Sequence, residues 1–172
     1  MRGGRFGSRF KRGSSWRDAV GGSVLLGSAS GLRGQLGVAV IVARSDPSLS
    51  PIFRRTWTKR LLIAAAAGEL VVDKLPNTPS RLEPAGIAGR LVLGGLAASL
   101  YAQTRQTPWM PAAAIGAASA IVAAKIGHDV RAQLAQHVPD PAVAVVEDGI
   151  AFGLATAGAA KKPSWTSALH LG

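Results

Sequence analysis

Cysteine is absent from the 172 residues. That excludes a disulfide framework, thiolate metal sites, iron–sulfur clusters and a cysteine nucleophile. Aromatic residues are scarce, 5% of the chain with one tyrosine, so a core built on large rings is not expected. Acids are scarce as well: nine Asp and Glu stand against twenty Lys and Arg, a formal charge of +11. There is no GxxxxGK[ST] phosphate loop, and no serine sits in a nucleophile-elbow setting. His128, His137 and His170 are scattered rather than spaced as metal ligands. No cofactor, no metal site and no catalytic constellation are therefore expected, and the chain is read as a non-enzyme.

What is abundant is small and apolar. Hydrophobic residues make up 48% without glycine, and the 21 glycines raise the share to about 60%, above the roughly 45–50% of soluble domains. Five apolar stretches follow one another: Ala19–Ala43, Leu61–Leu75, Ala85–Gln103, Pro111–Gly127 and Ala142–Ala160. They approach the roughly 20 residues that a membrane-crossing helix needs. Pro111–Ala124 and Gly149–Ala160 are apolar or small on every side, whereas a helix at a water surface carries a polar face. The fold class expected is all-α, an integral membrane helical bundle over residues 18–160. Residues 1–17 precede it as a basic arm without stable helix, and residues 161–172 follow it as a polar tail.

Charge orients the bundle. The middle of the first stretch, Gly27-Ser28-Ala29-Ser30-Gly31-Leu32-Arg33-Gly34, suits two half-helices turning back better than one span. With that re-entrant hairpin and four transmembrane helices, fourteen of the twenty cations fall on one side, four on the other, and Arg33 and Arg90 lie inside. Such asymmetry marks the cytoplasmic face, so both termini are placed there. Trp16, Trp57, Trp109 and Tyr101 then fall at that interface. Five plain spans are the alternative. A basic start followed by Ala19–Gly27 resembles a secretory leader, but the apolar stretch runs past the small-residue site, and cleavage is not expected. The arm, with six cations and no acid, is read as an anchor on anionic lipid; a nucleic-acid partner is not expected.

Ionisable residues inside the stretches are the candidate site, because charge in a span is costly and tends to be functional. Helical rise places Glu69, Arg90, Glu147 and Asp148 each about 9–10 Å from the non-cytoplasmic ends of their segments. Arg33, at the tip of the hairpin, reaches the same level. Asp73 and Lys74 lie nearer the edge. Three carboxylates then face two guanidiniums, and the surplus acid points to proton or small-cation binding. Two functional expectations follow: a proton- or cation-coupled transporter or channel component, or a structural membrane module that acts through self-association or a partner. The GxxxG spacings Gly27/Gly31 and Gly149/Gly153 offer surfaces for close helix contact, and a homo-oligomer fits the small size.

One stretch is more specific than any spacing. Gly68-Glu69-Leu70-Val71-Val72-Asp73-Lys74-Leu75-Pro76-Asn77-Thr78-Pro79-Ser80-Arg81 resembles the signature of a bacterial membrane-protein family, domain of unknown function four-one-two-six. Gly31-Leu32-Arg33 and Val146-Glu147-Asp148 are similar to further positions of that family. The resemblance spans about residues 18–160. It implies a polytopic helical protein of the bacterial inner membrane, brings no established activity, and directs attention to Glu69, Asp73, Lys74 and Pro76.

Overall fold

In the computed structural model, residues 7–44, 46–72, 84–134 and 137–160 are described, the side chains from Trp16 onward except at a few helix-end positions. Every regular element among them is a helix. These are α1 (Gly7–Leu32), α2 (Leu36–Ala43), α3 (Pro51–Arg54), α4 (Thr56–Val72), α5 (Pro84–Thr104), α6 (Trp109–Leu134) and α7 (Asp140–Ala159). Alanine and leucine carry these helices at little entropic cost. Prolines open three of them: Pro51 and Pro84 begin α3 and α5, and Pro141 sits in the first turn of α7. There the missing N–H is no loss.

The first apolar stretch reverses where Arg33, Gly34 and Gln35 interrupt the helix. The turn is tied by Arg33 N–H to Ala29 O at 2.8 Å and by Leu36 N–H to Arg33 O at 3.0 Å. Helix α2 then runs back along α1. Gly37 packs on Leu26 and Ser30, and Val38, Ile41 and Val42 share a buried cluster with Leu26, Tyr101 and Ala159. The two limbs are unequal: α1 has 26 residues and α2 only eight, because Gly27 and Gly31 stay helical and serve as contact points instead of breakers.

Helix α1 is the central element and packs against α2, α5, α6 and α7. Small residues allow this. Ala112, Gly116, Ala120 and Ala124 form the buried stripe of α6. A Cβ on Gly27 would strike the Gly116 backbone, and one on Gly31 would strike Ala120. Gly149 and Gly153 have nothing within contact range of an added Cβ. Buried Ser23 hands its hydroxyl to Ala19 O at 2.6 Å, an internal bond that needs no water. Helix α4 lies at the margin, against α2 and α3.

Two helices, Trp109–Leu134 and Pro141–Ala159, are long and apolar enough to cross a membrane. Within the described structure 22% and 33% of their apolar windows are buried. Four such helices are expected from the sequence. Among the described residues, α4 offers 17 and α5 carries Arg90 near its start.

Three expectations are corrected. The helix-free arm ends early: residues 7–17 continue α1, because extending a helix already nucleated costs far less than starting one. The fourth apolar stretch does not stop at Gly127, since α6 runs two turns further to Leu134. Tyr101 does not face an interface. It is buried, with Gly22 against its ring and Arg105 donating to its hydroxyl at 2.8 and 3.0 Å.

Candidate functional site

The site forms where α1 stops. A helix leaves its last carbonyls without intrahelical donors and carries partial negative charge there. Two arginines meet that end. Arg33 is the first residue beyond α1 and is 2% exposed; Arg90, on the second turn of α5, is 8% exposed. Arg90 donates Nε–H to Gly31 O at 2.9 Å and Nη1–H to Gly86 O at 3.2 Å. It thus caps α1 from the neighbouring helix, with its charge placed where the dipole favours it.

Arg33 turns toward α7. Its Nε pairs with Asp148 Oδ1, and its Nη2 stands 3.9 Å from Glu147 Oε2. A third arginine joins: Arg131 of α6 places Nη1 3.6 Å from the same Glu147 oxygen. Glu147 is 8% exposed. Adjacent acids on a helix point about 100° apart, which is why one guanidinium between α1 and α7 meets both while Arg131 reaches only Glu147. The network ties α1, α6 and α7 together at one level.

Of the five residues expected at this level, the structure brings together Arg33, Arg90, Glu147 and Asp148. Glu69 lies on the last turns of α4, whose described partners are α2 and α3; its side chain is outside the described residues. Asp73 and Lys74 also lie outside them. Among the described residues the network holds two of the three expected acids, Glu147 and Asp148, and three guanidiniums, Arg33, Arg90 and Arg131; the third expected acid, Glu69, has its side chain outside them. Arg131 is the residue that sequence reasoning missed. Ending the helix at Gly127 put Arg131 in a loop. The spacing that builds the α6 contact stripe, Ala112, Gly116, Ala120 and Ala124, continues through Gly127 to Arg131 when carried on in helical steps, and that was the available signal.

A cavity of about 390 Å³ opens between α6 and α7 beside this network. Aliphatic side chains line it almost entirely, with Leu32 at its base and Arg131 and Glu147 as its charged members. Farther out, Lys125 Nζ pairs with Asp129 Oδ2 at 3.2 Å, and His128 Nδ1 lies 3.4 Å from Asp129 Oδ1, all of them well exposed. Among the described residues no group of three His, Cys, Asp or Glu is placed to hold a metal ion.

At the opposite end of the bundle, Arg44 closes α2 onto α7 through Thr156 O at 3.2 Å. Arg105 does the same from the α5–α6 turn through Ala160 O at 3.0 Å. The far ends of α2, α5 and α7 therefore meet on one side, away from Arg33. No family model matches the chain, and no curated protein or solved structure matches it.

Proposed function

We propose that this chain is a multi-pass protein of a bacterial inner membrane, a non-catalytic structural module in which a buried ion-pair network latches a re-entrant hairpin to the spanning helices. The observation that carries this reading is buried, paired charge beneath an apolar exterior. Arg33 and Glu147 are inside, while Val92 (67% exposed), Met110 (66%) and Val145 (62%) point outward from three different helices. In water that arrangement is unfavourable on both counts. In lipid the outward side chains match the solvent, and the charges are tolerable because they are paired.

The topology that fits is the hairpin with α4, α5, α6 and α7 crossing and both termini cytoplasmic. Its support is the return of α2 to the level of Tyr101 and Ala159, the end where α7 finishes. The resemblance of residues 68–81 to a polytopic membrane family agrees with it. Because the chain has no cysteine, Ser50→Cys and His137→Cys can be labelled singly in intact cells. An impermeant thiol reagent should reach position 137 and not position 50. Five plain spans put position 50 on the face opposite the N-terminus. Recovery of the chain in buffer or high salt without detergent ends the membrane reading altogether.

A second reading, proton- or cation-coupled transport, draws on Glu147 lining the cavity. Its test is proton or sodium flux into liposomes carrying the wild-type chain, Glu147→Gln or Glu69→Gln. Flux that either change abolishes favours transport. The pairing of both described acids, Glu147 and Asp148, with guanidiniums favours the latch.

A further inference from the structure

We propose that the outward side of the α3–α4 junction is a docking surface for the anionic headgroups of the cytoplasmic lipid leaflet, with Arg54, Arg55 and Arg60 on the phosphates and Trp57 at the boundary with the acyl chains. The proposal rests on the membrane reading above and adds a folded lipid contact separate from the N-terminal arm. Four observations carry it.

Charge is one-sided here. Residues 47–68 hold four cations and no acid. The acid just before them, Asp46, is turned to its own loop: its Oδ1 accepts the Ser48 N–H at 3.0 Å and the Ser48 hydroxyl at 2.6 Å.

The segment is fixed from within. Leu49 and Thr58 are buried, and Phe53 and Leu62 pack on the cluster that holds Val42, Tyr101 and Ala159. At Arg55, between the two helices, the backbone is extended (φ −66°, ψ 138°). With one side occupied by the bundle, Ile52, Arg54, Arg55, Trp57, Arg60 and Leu61 are left exposed. The Trp57 indole is 54% exposed, a costly position in water and a favoured one where lipid meets water.

The fold makes little use of these three guanidiniums. Arg54 reaches one backbone carbonyl, Pro47 O, at 3.5 Å. Among the described residues the side chains of Arg55 and Arg60 meet no acceptor. Lys59 is engaged elsewhere and is not counted. An exposed guanidinium with its fork of N–H donors unspent suits a phosphate oxygen pair.

The profile along α4 selects lipid over nucleic acid. After Arg60 the exposed positions are Leu61, Ile63, Ala64, Ala67 and Gly68, all uncharged over about 10 Å of helix. Cations and indole first, hydrocarbon after, is the order met on passing from headgroups into a bilayer. A strand of nucleic acid calls for cations along the whole of its track. The junction also lies at the end of the bundle marked by Tyr101 and Ala159, the end read as cytoplasmic, where the leaflet surface is negative.

The test uses the full chain with Trp16, Trp109 and Trp165 changed to Phe, so that Trp57 alone reports. It is placed in mixed bilayers of phosphatidylglycerol and phosphatidylcholine in which one lipid or the other is brominated and quenches fluorescence. Brominated phosphatidylglycerol should quench Trp57 well beyond its share of the bilayer, and brominated phosphatidylcholine below its share. Arg54→Gln, Arg55→Gln and Arg60→Gln together should make the two equal, a loss of about tenfold in relative affinity. Arg60→Gln alone, at an exposed position, serves if the triple variant fails to fold and should remove part of the preference. Changing the six cations of residues 1–17 to Gln should leave the Trp57 signal as it was. Equal quenching in the parent chain overturns the proposal, as does a preference that survives the triple change or disappears with the arm's cations. A labelled single-stranded RNA held through the same three arginines, without lipid preference, assigns the surface to nucleic acid and also overturns it. A chain that needs no detergent sinks the membrane reading, and this proposal with it. A detergent-dependent chain with equal quenching sinks the proposal alone.

Discussion

Helix α1 meets α6 and α7 by opposite means. Against α6 it has almost no side chain to offer: Gly27 and Gly31 let two backbones approach until the Gly116 and Ala120 carbonyls fill the space. Against α7, at its last turn, it offers the bulkiest cation available, Arg33 set on Glu147 and Asp148. The first contact draws on dispersion, with many atoms in close range and nothing to desolvate. The second draws on charge, which is strong in low dielectric only while every partner stays. Together they place α1 by two independent constraints. Shape sets how near it lies to α6, and charge sets where along α7 the chain turns back.

The sharpest way to break the pairing is at the charged contact. Arg33→Leu leaves Asp148 without the guanidinium that its carboxylate meets. Removing one partner of a buried pair costs about 3–5 kcal/mol. Chemical unfolding in micelles should show a loss of that size. The quadruple change Arg33→Leu, Arg131→Leu, Glu147→Leu, Asp148→Leu should recover most of it, because replacing a paired set with apolar residues is close to neutral. If the quadruple variant is as unstable as the single one, the network does more than neutralise itself, and a bound ion or proton enters the account.

The close-packed contact comes next. Gly27→Leu drives a side chain into the Gly116 backbone, which cannot yield as a flexible side chain would. Overpacking of this kind costs about 1–3 kcal/mol. The same unfolding assay reads it. A Gly27→Leu variant as stable as the wild type would show that α1 and α6 do not lean on each other this closely.

The contrast also explains what was legible beforehand. The apolar runs predict α5, α6 and α7 to within a few residues at most ends, because hydrophobicity and proline punctuation are local signals. The reversal after Arg33 was visible as a cluster of Gly, Ser and Arg with Arg33 at its tip, yet Gly27 and Gly31 within that cluster stay helical. Whether a glycine breaks a helix or lets a neighbour approach depends on a partner far along the chain, and Gly116 is 89 residues from Gly27. Four of the charged residues were placed at one level by rise per residue alone. Arg131 escaped because its membership depends on how far α6 extends. The two glycine pairs show the same limit: Gly27/Gly31 and Gly149/Gly153 have identical spacing, and only the fold says which is used.

A smaller effect sits in the α5–α6 turn, on the side where neither contact acts. Gln106 adopts φ 52°, and Thr107 N–H reaches back to Ala102 O at 3.0 Å, the pattern of a left-handed helix cap. An L side chain there carries a strain of about 1–2 kcal/mol that glycine avoids, part of which glycine returns as entropy in the unfolded chain. Gln106→Gly should therefore raise stability by up to about 1 kcal/mol, without touching the α1 contacts.

The smallest expected effect is the most telling about assembly. Gly153→Leu places a large side chain where an added Cβ meets nothing within 4 Å. On an isolated chain the change should fall within about 0.5 kcal/mol, as for other substitutions away from contacts, a sharp contrast with Gly27→Leu. The outward face of α7 nevertheless carries Gly149 and Gly153 between exposed Val145, Val146, Ile150 and Phe152, a surface on which a second helix could lie as closely as α6 lies on α1. If the chain works as a homo-oligomer through that face, Gly153→Leu leaves the unfolding of the monomer unchanged and lowers its apparent mass by crosslinking or light scattering in micelles. An unchanged mass removes the α7 face from any assembly and leaves Gly27/Gly31 as the one of these two glycine pairs that brings helices together.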